Sequence, residues 1–308
     1  MKRAVSLAAV CLMALQAHAA TYSVIVAGLG GEPDYEQRFT AAAKDLDRIF
    51  KSAGSTGHVF TLQAAQATAV QFRDAMSTVA REAKAEDDFV LILIGHGSFD
   101  GVEYKFNLAG PDLTAAEIAA LCDRIASRRQ LVVDTTSASG GAVQALEKPG
   151  RAVIAATKSG TEKNATIFVR YWIEALQDPS TDTDKSDSVS AIEAFRYATQ
   201  KTAAFYDAEK RLATEHAVFN DVGHGDPVRD AGNGQGMLLS SFTLLRLGAS
   251  QLAASDPAKR ALLDKKEELE QKIDVLKYQK AAMDSVDYKK QLTDALVELA
   301  KVQEKLDR

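Results

Sequence analysis

Cysteine is nearly absent: Cys11 and Cys122 are the only two in 308 residues, which excludes a disulfide scaffold. Proline is scarce too, six in all, so the chain is no collagen-like or proline-rich stalk. It lacks a basic excess. The 37 Lys and Arg face 42 Asp and Glu, a net charge of −5, whereas an electrostatic grip on nucleic acid needs a clustered basic face. Beyond the first twenty residues no apolar run reaches the eighteen or so needed to span a bilayer. What is present is a globular mixture, 46% apolar and 26% charged, which buries a core and excludes a mainly disordered chain. The length fits one large domain or two smaller ones.

The first twenty residues stand apart. Lys2 and Arg3 precede an apolar stretch from Ala4 to Leu15, and Ala17-His18-Ala19 offers the small-x-small pattern of a cleavage site. Residues 1–20 therefore read as an export signal, and the protein as periplasmic or secreted. The competing reading, an amphipathic first helix, lacks a polar face between Val5 and Leu15. Cys11 follows Val10 within the apolar stretch, which does not suit a lipid anchor. Removing the segment takes Lys2, Arg3 and Cys11, moves the charge from −5 to −7, and leaves Cys122 with no partner for an internal disulfide.

From Tyr22 onward, strand-like and helix-like segments alternate. Tyr22 to Ala27 is a short apolar run ending in Gly28-Leu29-Gly30-Gly31, a buried strand and a turn. Over 35–52, Phe39, Ala42, Leu46, Ile49 and Phe50 form one helical stripe. His58 to Leu62 reads as strand and Val70 to Ala83 as helix. In Phe89 to Ile94, six large apolar residues follow without alternation, as in a strand covered on both faces. Residues 101–108 mix apolar and polar side chains like a hairpin, and Thr114 suits the N-cap of a helix reaching Ile125. Gln130 to Val133 and Ala152 to Ala155 add two core strands, and 167–176, with the single Trp172, another helix. This order predicts an α/β fold, a mainly parallel sheet with helices on both faces.

Residues 178–190, rich in Ser, Thr and Asp, read as a surface loop or linker. Residues 191–214 return to helix, and the glycine-rich 216–236 reads as one long loop. After Asp256 and Pro257 the composition changes. Leu262, Leu269, Leu276 and Met283 recur every seven residues beside Ile273, and Leu292, Leu296, Leu299, Val302 and Leu306 form a second stripe after a break at Ser285. Two helices of about 25 residues, each about 37 Å long, follow as an antiparallel hairpin or coiled coil; one long helix packed on the domain is the alternative. The expected division is 21–250 for the α/β domain and 255–308 for the tail. The tail's expected role is assembly, with a second copy or a partner helix.

In open parallel sheets, functional groups gather at the carboxyl ends of strands. Phe89 to Ile94 runs into Gly95-His96-Gly97-Ser98, and Leu131 to Val133 runs into Asp134-Thr135-Thr136-Ser137-Ala138-Ser139-Gly140-Gly141. Glycines beside His96 let the backbone turn tightly and leave the imidazole exposed. Neighbouring strands about 5 Å apart would set His96 and Ser137 facing each other as base and nucleophile. Asp134 either orients His96 or simply ends its strand.

A long apolar strand, His-Gly-Ser, a helix, then an apolar strand ending in small residues and Ser-Gly resembles the caspase-like cysteine peptidases, and within them the legumain branch. The resemblance covers about residues 21–245 and none of the tail. It implies that His96 is the base and that the nucleophile lies two residues before Ser139-Gly140, at Ser137, 41 positions after His96. It places Gly97 and Thr136 beside the oxyanion and Thr135 in the substrate site. Residues 155–162, with Thr157 and Ser159, stand where the family has a specificity-pocket loop. Arg38 matches a basic residue of an asparagine-recognising pocket, against the plainer reading of an exposed helix arginine. The stretch from Glu215-His216 through Asn220-Asp221 to Gly225-Asp226 resembles a downstream loop of bacterial members.

The departure from the family is the nucleophile. A thiol titrates near 8.5 and is easily held as thiolate. A serine hydroxyl needs a well-placed base, usually with an orienting acid and an oxyanion hole. Cys122, within Ala119-Ala120-Leu121-Cys122-Asp123, reads as a packed small hydrophobe. The expectation is a catalytically degenerate module that binds peptide or protein. The alternative is a hydrolase using a His96–Ser137 dyad with Asn or Asp specificity, and a third reading is an adaptor whose working part is the tail.

No cofactor or metal is expected. Gly28-Leu29-Gly30-Gly31 lacks the third glycine of a dinucleotide fingerprint, since Pro33 stands there. His216 and His224 with Asp221, Asp226 and Asp230 match neither a zinc helix nor an EF-hand, and read as a polar loop.

Overall fold

The computed structural model describes residues 19–53, 58–232, 234–254 and 256–307. Most of the expected export segment, residues 1–18 including Cys11, lies outside the described residues. Strand β1 (Thr21–Ala27) leads through helix α1 (Pro33–Ser52) to β2 (His58–Leu62), and α2 (Ala69–Glu82) returns the chain to β3 (Asp88–Ile94). Three short strands follow, β4 (Gly97–Phe99), β5 (Tyr104–Phe106) and β6 (Leu113–Thr114), before α3 (Ala115–Asp123) and β7 (Arg129–Asp134). The short α4 (Val143–Leu146) precedes β8 (Arg151–Ala155) and α5 (Phe168–Gln177). Next come β9 (Ser188–Ser190), α6 (Ala191–Ala208), β10 (Val218–Asn220), α7 (Met237–Ser241), β11 (Thr243–Arg246) and α8 (Gly248–Ala254). Helices α9 (Pro257–Gln279) and α10 (Ser285–Leu306) follow.

Six strands pair in the order β10-β8-β7-β3-β1-β2, all parallel except β10, which runs antiparallel to β8. The apolar run of β3 explains its central place. Val90, Ile92 and Ile94 join the core made with α1, α5 and α6, while Phe89, Leu91 and Leu93 join the core made with α2, α3 and α4. Both faces are thus covered. The predicted α/β class, with helices on both faces and a helical pair at the end, is what the structure has. Local signals agree: Thr114 caps α3, and Glu117 closes a reciprocal capping box with it. Strands β4, β5 and β6 form a separate antiparallel sheet, and only Gly95 and His96 separate it from the end of β3.

Two segments read as loops are more than loops. Within 178–190, Thr181, Asp182 and Val189 are buried and β9 pairs antiparallel with β11. Within 216–236, β10 extends the main sheet and buries Phe219 opposite Ile154. Three-residue strands are too short to show a period of two in the sequence.

The tail forms the predicted helical hairpin, but it also docks on the α/β part. Helix α9 packs on α7 and α8 as well as on α10. Arg246 donates to Glu267 (2.7 Å) and Asp264 (3.1 Å), and the Lys266 ammonium to the Ser186 carbonyl (2.7 Å). The buried stripe on α9 is Leu263, Leu269, Ile273 and Leu276, so Leu263 replaces the expected Leu262. On α10, Ala295 and Val302 are buried and Leu296 is turned outward, 47% exposed. Packing on two sides at once pulls the stripe off a strict heptad, because an α-helix has 3.6 residues per turn. Among the described residues no helix is long and apolar enough to cross a membrane.

Candidate functional site

Strands β3 and β7 are neighbours, with Leu93 opposite Asp134, so the segments leaving them meet at the carboxyl edge of the sheet. The Gly97 amide donates to Ser137 Oγ (3.2 Å), and the Ser137 hydroxyl donates to the Gly97 carbonyl (3.0 Å). The approach requires glycine. A Cβ at position 97 would lie 2.4 Å from the Ser137 carbonyl oxygen and 2.7 Å from Thr136 Oγ1. Ser137 is only 2% exposed.

His96, one residue away, is half-buried. Its ring stands edge-on to Tyr35 (4.8 Å between centroids) and Phe39 (5.1 Å), both on α1. Burial pulls the imidazole below its usual pKa, helped by the charge of Arg38; a hydrogen bond to the backbone of Gly30 and the charge of Glu32 oppose it. The outcome is an oriented imidazole biased toward the neutral, base-competent form. Arg38 is exposed and lies over the Tyr35 ring, 5.4 Å from its centre. Among the described residues no hydrogen bond joins His96 to Ser137.

Beneath the Ser137 turn lies a buried polar network. Asp134 Oδ1 accepts the Thr136 amide (3.0 Å) and hydroxyl (2.7 Å), and Thr136 Oγ1 is 2.6 Å from the Tyr104 hydroxyl. Desolvation pushes the Asp134 carboxyl up to about 6, against the hydrogen bonds from Thr136 and Tyr104. Among the described residues no hydrogen bond or ion pair joins Asp134 to His96; Asp134 ends its strand and braces the turn. Thr135 is also turned inward, its hydroxyl donating to the Leu93 carbonyl (2.7 Å).

The loop after β8 locks onto the same turn. Thr157 Oγ1 accepts the Gly140 amide (2.9 Å) and lies 3.2 Å from Ser139 Oγ, whose oxygen accepts the Thr157 amide (3.1 Å). Ser139 and Thr157 are wholly buried, while Ser159, bonded to Thr161 (2.8 Å), is half-exposed. Ala138 has φ +57°, a conformation unusual for a residue with a Cβ, and its amide donates to the Glu162 carbonyl (2.8 Å). Glu162 in turn holds His216, with Nδ1 2.5 Å from Oε1. The Phe99 ring packs against Gly160, where a Cβ would come within 2.3 Å of it. Gly97, Thr136, Ser137, Thr157 and Ser159 therefore form one connected unit, with His96 and Arg38 on the adjoining wall built by α1.

Several contributors carry no motif. Gly30 acts through its backbone, which side-chain spacing cannot reveal, although the glycine run was visible. Tyr35 and Phe39 show only as neighbours four apart on a helix, and Tyr104 only as one aromatic in a hairpin. Glu215, at the start of the downstream loop, is buried and accepts the Ile167 and Phe168 amides, stabilising the start of α5. Asp221 similarly accepts the Gly236 and Leu239 amides at α7. Cys122 is fully buried in α3, its thiol pushed up to about 11 by desolvation. A cavity of about 500 Å³ lies at the opposite, amino-terminal end of the strands, lined by Thr21, Asp88 and Arg129 and by Arg246 and Glu267.

No family model matches the chain, and no curated protein matches it. Among solved structures it is similar to a structural-genomics target protein from Geobacter sulfurreducens, at 15% identity over 75% of this chain and 99% of that one, with a TM-score of 0.48. It is also similar to the Drosophila initiator caspase Dronc, at 12% identity over 73% and 84% of the two chains (TM-score 0.46). Another similar structure is caspase-1 from Spodoptera frugiperda, at 11% identity over 71% and 92% (TM-score 0.45).

Proposed function

We propose that this is an exported, legumain-type relative of the caspase-like peptidases in which Ser137 stands for the nucleophilic cysteine, and that it binds peptide or protein rather than cleaving it. The observation that carries this reading is the engagement of the Ser137 hydroxyl. It gives its proton to the Gly97 carbonyl and receives the Gly97 amide. A nucleophile must instead pass its proton to a base within about 2.6–3.2 Å or through one water. The remaining thiol, Cys122, is buried and held protonated by desolvation, so it supplies no thiolate. The helical tail is proposed to carry assembly through the outward face of α10, where Val286, Leu296 and Val297 are exposed.

A second reading, a serine hydrolase, is favoured by His96 itself, which is oriented and shifted toward its neutral form. A fluorophosphonate probe, mapped by peptide mass spectrometry, and an Asn- and Asp-containing peptide library separate the two. The binding reading expects no adduct on Ser137 and no turnover. An adduct on Ser137 that disappears in His96→Ala overturns it in favour of the hydrolase.

A further inference from the structure

The carboxylate of Asp87 lies against Ala20, the residue before β1. Asp87 is 5% exposed and sits in the turn before β3. One oxygen accepts the amide of Ala20 at 2.7 Å and the other the amide of Lys84 at 2.7 Å. The Ser127 hydroxyl donates to the Asp87 carbonyl, and the Asp88 amide to the Ala20 carbonyl (2.8 Å), so the two segments are clamped together. Yet among the described residues no Lys, Arg or His side chain forms an ion pair with Asp87. A nearly buried carboxylate without a counter-charge is costly. The small-x-small pattern Ala17-His18-Ala19 sets the cut after Ala19, one residue short of the 1–20 segment read from composition, and leaves Ala20 as the first residue.

We propose that Asp87 is a binding site for the chain's own new N-terminus: processing cuts between Ala19 and Ala20, and the Ala20 α-ammonium then pairs with the Asp87 carboxylate. Water hydrolyses the Ala19–Ala20 peptide bond. Its oxygen goes to the carboxylate left on the released segment, and the freed Ala20 amine becomes protonated. The nitrogen already sits within hydrogen-bond distance, so one neutral amide donor is replaced by a charge-assisted one. Cleavage thereby fastens the start of β1 to the turn before β3, the strand that delivers His96.

The inference rests on the export reading of the N-terminal segment, and the two parts fail separately. N-terminal sequencing of the exported protein should begin at Ala20; any other start overturns the assigned cut. The pairing is tested on mature chain beginning at Ala20, with its α-amine free or selectively acetylated. Acetylation keeps the N–H donor but removes the charge. The free-amine form should melt about 2 °C higher, the small shift that one charge-assisted hydrogen bond gives in a chain this long. That gap should vanish in Asp87→Asn. Equal melting of the free and acetylated forms, or a gap that survives Asp87→Asn, overturns the pairing even where the cut is correct.

Discussion

Replacing Asp134 with asparagine should change how stability depends on pH. Asp134 is wholly buried, its carboxyl is pushed up to about 6, and its Oδ2 has no hydrogen-bond partner among the described residues. In the unfolded chain the same group titrates near its ordinary 3.8. Between roughly pH 4 and 6 the folded protein therefore holds a proton that the unfolded chain has released. Stability falls as the pH climbs through that window and levels off above it, the reverse of a salt-bridged aspartate. A gap of about two pH units corresponds to about 3 kcal/mol. Asp134→Asn cannot ionise, yet its carbonyl oxygen can still accept the Thr136 amide and hydroxyl. Urea unfolding of both proteins at pH 4, 5, 6 and 7 isolates this group, because other titrations are shared. Relative to the variant, the wild type should lose about 2.5 kcal/mol of that between pH 4 and 7. A gap that stays constant within about 0.5 kcal/mol, comparable to the scatter of such extrapolations, refutes the assignment of a buried, late-titrating carboxyl.

Other consequences are as specific. Gly97→Ala forces a methyl group to within 2.4 Å of the Ser137 carbonyl and should cost about 1–3 kcal/mol as overpacking; an unchanged melting temperature contradicts the close approach. Removing residues 256–308 separates α9 from α7 and α8 and breaks the Arg246 pairs with Glu267 and Asp264. The truncated chain should melt lower, bind a hydrophobic dye, and sediment as a monomer. Unchanged melting would contradict the docking of α9, and an oligomer surviving truncation would contradict assembly through the tail.

The fold was legible wherever a segment buries enough side chains to impose a period. The six-residue apolar run of β3 marked the sheet centre because both its faces are covered, and the Thr114–Glu117 pair marked the start of α3 because capping is local chemistry. Strands β9 and β10 were not legible: each has three residues, and their burial is decided by partners far along the chain. The α9 stripe was displaced from Leu262 to Leu263 because the helix packs on the domain as well as on α10. At the site, His96-Gly97 and Ser137 were visible as residues following two strong strands. The contact of His96 with the Gly30 backbone and the inward turn of Thr135, Thr136 and Thr157 were not, since they depend on backbone groups and on which way each hydroxyl points.

The central claim is that the Ser137 hydroxyl belongs to Gly97 and not to His96, and hydrogen exchange at the Gly97 amide reads it directly. A net hydrogen bond of about 0.5–1.5 kcal/mol corresponds to about a two- to tenfold change in rate. Ser137→Ala should accelerate exchange at Gly97 by that factor, and His96→Ala should leave it unchanged. Exchange that responds to His96→Ala and ignores Ser137→Ala would contradict the account.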